Sequence, residues 1–163
     1  MNEHSSHLRQ IQKAFEGEAW HGPSLMEALD GVDAHMAKRR WVDGVHTIWE
    51  IALHTVAWKR AVTKWIEGDD TIRVEDDENF PMPEQGDDAE WEHVLNELKV
   101  AQAEFLAVVS RLSNDKLYEN PPGRTTIYSD YLFGVVHHDL YHAGQISLLK
   151  KAAQAEMQGS KVK

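Results

Sequence analysis

Gly134-Val135-Val136-His137-His138-Asp139-Leu140-Tyr141-His142-Ala143-Gly144-Gln145-Ile146 decides how this chain is read. Widened to its flanks, the stretch puts Tyr131, Val135, His138, His142, Gln145 or Ile146, Leu149 and Ala152 or Ala153 at steps of three and four. That period predicts a long helix, from about Ser129 to Gln154, with one core-facing seam. His138 and His142 occupy seam positions where a bundle normally carries Leu or Val. Four residues apart, they lie one turn from each other on one helix face. Two unpartnered imidazoles in a core carry the cost of buried polar groups, and a shared metal ion removes it. Spacing alone is weak evidence, because ten histidines in this chain give roughly 0.6 such pairs by chance.

A second helix adds to it. Thr47-Ile48-Trp49-Glu50 is a capping box ahead of an apolar run, and Gly68 is a natural stop. Ile48, Ile51, Ala52, Val56, Trp58, Val62, Trp65 and Ile66 make this segment apolar over more than half its surface. His54 falls on the face of Ile51, Trp58, Ala61 and Trp65. Facing helices of a bundle build metal sites in this way. One histidine here and the pair at 138 and 142 amount to three nitrogen ligands. That set is the pattern of a catalytic zinc, or of nickel, with an open position. Three satisfied core histidines in a plain bundle are the competing reading.

The rest of the chain supplies more helices. Leu8, Ile11, Ala14 and Phe15 predict a first helix over 4–17. Ser24 and Glu27 form a second capping box, opening one or two short helices over 24–38 that break at Gly31. Residues 67–90 hold eleven Asp or Glu with Pro81 and Pro83, which predicts a solvated acidic loop pinned by Phe80 and Met82. Its spacing does not match an EF-hand. Trp91, Leu95, Leu98, Phe105 and Leu112 mark a third long helix after Asp87-Asp88. The expected architecture is an all-α four-helix bundle with one or two extra short helices and up-down connectivity, or a crossover through its long loops. Residues 1–157 are expected to form one domain, and 158–163 a frayed polar tail.

Composition narrows the function classes. Net charge is −10, with 27 acids against 17 bases, which argues against a nucleic-acid partner. The basic run Lys38-Arg39-Arg40 reads as a solvated helix end. No cysteine is present, so disulfides, zinc-thiolate sites and a cysteine nucleophile are excluded. No apolar run approaches the roughly 20 residues of a membrane span. Met1-Asn2-Glu3-His4-Ser5-Ser6 lacks a signal-peptide pattern, so the expectation is a soluble, cytoplasmic protein.

Three blocks carry a family resemblance: Trp20-His21-Gly22-Pro23-Ser24-Leu25, then Gly44-Val45-His46-Thr47-Ile48-Trp49-Glu50 on to His54, then His138 to Ile146. Through them the chain resembles the DinB/YfiT-like superfamily of four-helix metalloproteins. The resemblance implies a divalent metal, zinc or nickel, on His54, His138 and His142. It also implies a homodimer and a metal-dependent hydrolase or thiol S-transferase that activates water or a low-molecular-weight thiol. The substrate is unnamed, and a non-catalytic metal-binding stress-response protein is the alternative. Gln145, Glu50, Trp58 and Asp139 are candidates for the pocket or for orienting the imidazoles. Glu50 already has a role in its capping box, and Asp139 is otherwise solvated. His21 and His46 lie in loops near the expected pocket. His4, His7, His35 and His93 read as surface residues.

Overall fold

The computed structural model describes residues 3–159. It is all-α. The elements are α1 (Glu3–Glu16), α2 (Leu25–Leu29), α3 (Ala34–Lys38), α4 (Ile48–Glu67), α5 (Asp76–Asn79), α6 (Asp88–Val109) and α7 (Tyr128–Gly159), with a 3-10 turn at Asp115–Tyr118. Among the described residues no helix is long and apolar enough to cross a membrane.

Local chemistry sets the boundaries. Thr47 Oγ1 accepts from the Glu50 amide at 3.1 Å, while Glu50 Oε2 accepts from the Thr47 amide at 2.6 Å. This reciprocal box starts α4 by satisfying amides that have no partner inside the helix. Gly68, at φ 95°, ends it in the left-handed region that a side chain would disfavour. The same box at Ser24 and Glu27 opens α2, and Asp87 caps α6 through the Glu90 amide. Of the one or two short helices expected over 24–38, two form, on either side of Gly31. The third long helix stops at Val109, short of Leu112. The last helix runs on to Gly159, five residues past its expected end at Gln154. Gln158 and Gly159 of the anticipated tail therefore belong to α7, and residues 160–163 lie outside the described residues.

Side-chain pairs fix the connectivity. Trp49 meets Trp91, and Arg60 bonds Glu97, so α4 and α6 run parallel. His54 meets His138, Lys59 meets Asp139, and Trp65 meets Tyr131, so α4 and α7 run antiparallel. His4 reaches the Val109 carbonyl and Gln102 the Ile11 carbonyl, so α1 opposes α6. The order is up-down-down-up rather than simple up-down. The α1–α7, α7–α4, α4–α6 and α6–α1 faces pack, which leaves α1 across from α4 and α6 across from α7. Parallel neighbours need a connection that travels the length of the bundle, and the acidic segment between Gly68 and Asp87 provides it.

The core divides in two. Leu25, Leu29, Trp49, Trp91, Leu98, Ile146 and Leu149 fill one end, where α2 and α3 cap the bundle. Ile11, Val62, Ile66, Phe105, Leu117, Leu132 and Val135 fill the other. Between them lies a polar layer of Lys59, Gln102 and Asp139, all buried. Trp91 Nε1 donates to the Val32 carbonyl at 2.7 Å, tying α6 to the α2–α3 link. His7 is not a surface residue: it is 3% exposed, its Nε2 lies 3.1 Å from Ser129 Oγ, and it packs α1 on the start of α7. His4 is half-buried, and His35 and His93 are exposed as expected. Lys38, Arg39 and Arg40 are exposed and engage the Gly86 carbonyl, Glu156 and Glu50 in turn.

Candidate metal centre

α4 and α7 bring the three anticipated histidines together. His54 Nε2 lies 2.9 Å from His138 Nε2, and His142 Nε2 lies 3.1 Å from the same atom. One ligand atom from each ring falls within 4.8 Å of the others, so the group could hold a metal ion. Nitrogens at tetrahedral angles about a zinc ion, with ordinary bond lengths, sit about 3.3 Å apart. The convergence is therefore close to coordination spacing.

Proton placement makes the arrangement informative. His54 Nδ1 lies 2.7 Å from the backbone carbonyl of Asn79. A carbonyl only accepts, so the ring proton sits on Nδ1 and leaves a lone pair on Nε2. His142 Nδ1 lies 2.7 Å from Gln145 Oε1, which places its proton in the same way. Both lone pairs aim at His138 Nε2. A neutral imidazole carries one ring proton, so His138 has one at most to offer two acceptors. At least one close nitrogen pair then lacks a proton between its atoms. A shared cation satisfies all three.

The rings are held neutral. Burial pulls His138 down to about 3, helped by any charge on His142, His54 and Lys59. Burial likewise pulls His142 down to about 4, against the Gln145 hydrogen bond. Burial also lowers His54, although its Asn79 bond opposes the shift. Neutral imidazole is the form that ligates metals. His54 is 7% exposed and His142 3%.

The acidic segment does more than was expected of it. Its 76–79 stretch winds into α5, and the Asn79 carbonyl holds His54. Trp58 Nε1 donates to Asn79 Oδ1 at 2.8 Å, so Trp58 acts on His54 through Asn79. Phe80 stacks on His54 at 4.0 Å and on His46 at 3.7 Å, a three-ring pile over the outer edge of the site. Phe80 thus pins the segment, but Met82 does not, being 59% exposed. His46 stands one ring away from the centre. His21 packs on exposed Trp20 instead.

Two candidates go elsewhere. Glu50 serves the α4 cap and pairs with Arg40 at 3.2 Å. Asp139 is neither solvated nor turned to the imidazoles. It is fully buried, and its Oδ2 meets Lys59 Nζ at 2.7 Å. Lys59 also donates to Gln102 Oε1 at 2.7 Å and lies over the Phe15 ring. Burial pulls the Lys59 ammonium down and pushes the Asp139 carboxyl up, while each charge draws the other back. Lys59 was missed because a lysine in a helix normally reads as solvent-facing. The available signal was its place on the Ala52, Val56, Val62, Ile66 stripe, and that of Asp139 on the Leu132, Val135, Ala143, Ile146 stripe.

The family model described as the DinB superfamily matches residues 19–146, most of the chain and all three histidines. The chain belongs to the DinB superfamily. No curated protein and no solved structure matches it. In this DinB chain the helical bundle and the three-histidine group are compatible with a metal-dependent protein.

Proposed function

We propose that this DinB protein holds one divalent ion, zinc or nickel, on the Nε2 atoms of His54, His138 and His142. The observation that supports it is the proton count: two ring protons are committed to Asn79 and Gln145, leaving one for three converging nitrogens. The donor set has no thiolate and no carboxylate, which suits zinc or nickel, and three protein ligands leave a position for substrate. When bound, such an ion supplies Lewis acidity that lowers the pKa of water or of a low-molecular-weight thiol.

The protein's own contribution is positioning. Asn79 and Gln145 fix the tautomers of His54 and His142, and Phe80 shields the His54 face. Asp139 is committed to Lys59 and Glu50 to the α4 cap, so neither serves as a general base at the site. That favours a thiol, which starts far more acidic than water and so is deprotonated by the ion's Lewis acidity with less help from a base. The proposed reaction is thiol S-transfer to a small electrophile. The assembly proposed with it is a homodimer, for which Phe133, Tyr141 and Leu148 form an exposed apolar face on α7.

Metal analysis of protein purified without chelator, joined to a turnover screen, tests the proposal. About one equivalent of zinc or nickel is expected, with thiol-dependent consumption of an electrophile. Metal without turnover would leave a metal-binding stress protein. No metal, with His142→Ala leaving stability unchanged, would leave a plain bundle with satisfied core histidines.

A further inference from the structure

We propose that the cavity between α4 and α7 beside His138 binds an apolar, ring-sized group of the small-molecule substrate. The inference rests on the metal-centre reading for the word substrate, and on the cavity itself for the rest. The cavity measures about 180 Å³. Trp58, Val62, Trp65, Tyr131 and Val135 form its walls, and His138 closes one end. Apolar cavities of about 150 Å³ take up benzene, so this one has room for a single ring.

Three observations point to a ligand. First, three of the five walls are aromatic and only half-buried: Trp58 and Trp65 meet edge to face at 6.0 Å, and Trp65 meets Tyr131 at 5.8 Å. Partly exposed rings around an apolar hollow gain by covering their faces with an apolar guest. Second, Gly134 lines the hollow in the interior of α7, where glycine disfavours a helix. A Cβ there would meet nothing within 4 Å, so no close packing requires the glycine. Its effect is to leave the space open. Third, Lys59 is the only lysine or arginine among the described lining residues, and its ammonium is turned to Asp139 and Gln102. The lining offers no free cation for a phosphate or carboxylate, and its one other charged group, the exposed carboxylate of Asp130, also disfavours an anion, so the group seated on the rings is apolar and not anionic. His138 belongs to both the cavity and the histidine group, and Trp58 links the cavity to His54 through Asn79. A ring seated here places its substituent toward His138, the histidine that the cavity shares with the group.

Calorimetric titration separates the two layers. Benzyl alcohol is titrated into metal-free protein, and phenylmethanethiol and 2-sulfanylethanol into zinc-loaded protein. The expected result is saturable benzyl alcohol binding that weakens at least tenfold in Gly134→Leu. The variant should keep its thermal midpoint, because leucine is a better helix former than glycine. Gly134→Met is the second variant if leucine distorts α7. Phenylmethanethiol should bind at least tenfold tighter than 2-sulfanylethanol, an advantage lost in the filled variant. Benzyl alcohol binding without metal uptake upholds the cavity and defeats the metal centre. Zinc uptake with no ring binding, or with equal binding by wild type and Gly134→Leu, overturns the cavity proposal.

Discussion

Replacing Lys59 by methionine strips the positive charge from the polar layer between the two core clusters. Lys59 is 2% exposed and Asp139 0%, and their charged atoms are 2.7 Å apart. Asp139 Oδ1 has no hydrogen-bond partner among the described residues. The substitution therefore leaves a buried carboxylate with neither a counter-charge nor a donor on Oδ2. Breaking a buried pair in this way costs about 3–5 kcal/mol. Lys59→Met with Asp139→Leu removes both charges together and should cost far less than either change alone, because no ion is then left unpaired. For a domain of this size a loss of 3–5 kcal/mol lowers the thermal midpoint by roughly 10 °C. Urea unfolding of chelator-treated wild type, both single variants and the double variant measures the cycle, with constant m-values as the check on two-state behaviour. A single variant losing under about 1 kcal/mol, or a double variant losing the sum of the singles, would refute the view that the pair is a coupled buried ion pair.

Other outcomes follow from the same geometry. In metal-free protein the folded state keeps His138 near 3 and His142 near 4, below the unfolded value of 6.5. The unfolded chain thus binds protons first, so stability is full above pH 6.5 and falls as pH drops toward 4; urea midpoints measured across that window should decline, and less so in His142→Gln. Gln145→Leu removes the acceptor that fixes the His142 tautomer, and competition with a chelator should show zinc affinity about 10–100-fold weaker with helix content unchanged. Thr47→Ala deletes half of the α4 capping box and should cost about 1 kcal/mol in urea unfolding, without changing metal content.

The helices were legible because their signals are local. Period, capping boxes and a terminal glycine all act within a few residues, as at Thr47, Glu50 and Gly68. The three histidines were legible for a related reason, since each is polar on an otherwise apolar face. What stayed hidden depends on partners distant in sequence. The up-down-down-up order rests on pairs such as Trp49 with Trp91, which no period reveals. Asn79 holds His54 through its backbone carbonyl, a group every residue carries and no composition marks. Residues 75–78 read as solvated acid, and the contacts that hold Asn79 and Phe80 at the site come from His54 and Trp58 of α4, more than ten residues away in the chain. Lys59 drew no reading from the sequence, Asp139 read as an imidazole partner or as solvated, and the two make sense only as a pair.

Zinc titration of chelator-stripped protein tests the central claim most directly. Wild type should bind about one equivalent, and His54→Ala, His138→Ala and His142→Ala should each lose that binding while remaining helical. Wild type that takes up no zinc, or any of the three variants binding as wild type does, would contradict a centre built on these imidazoles.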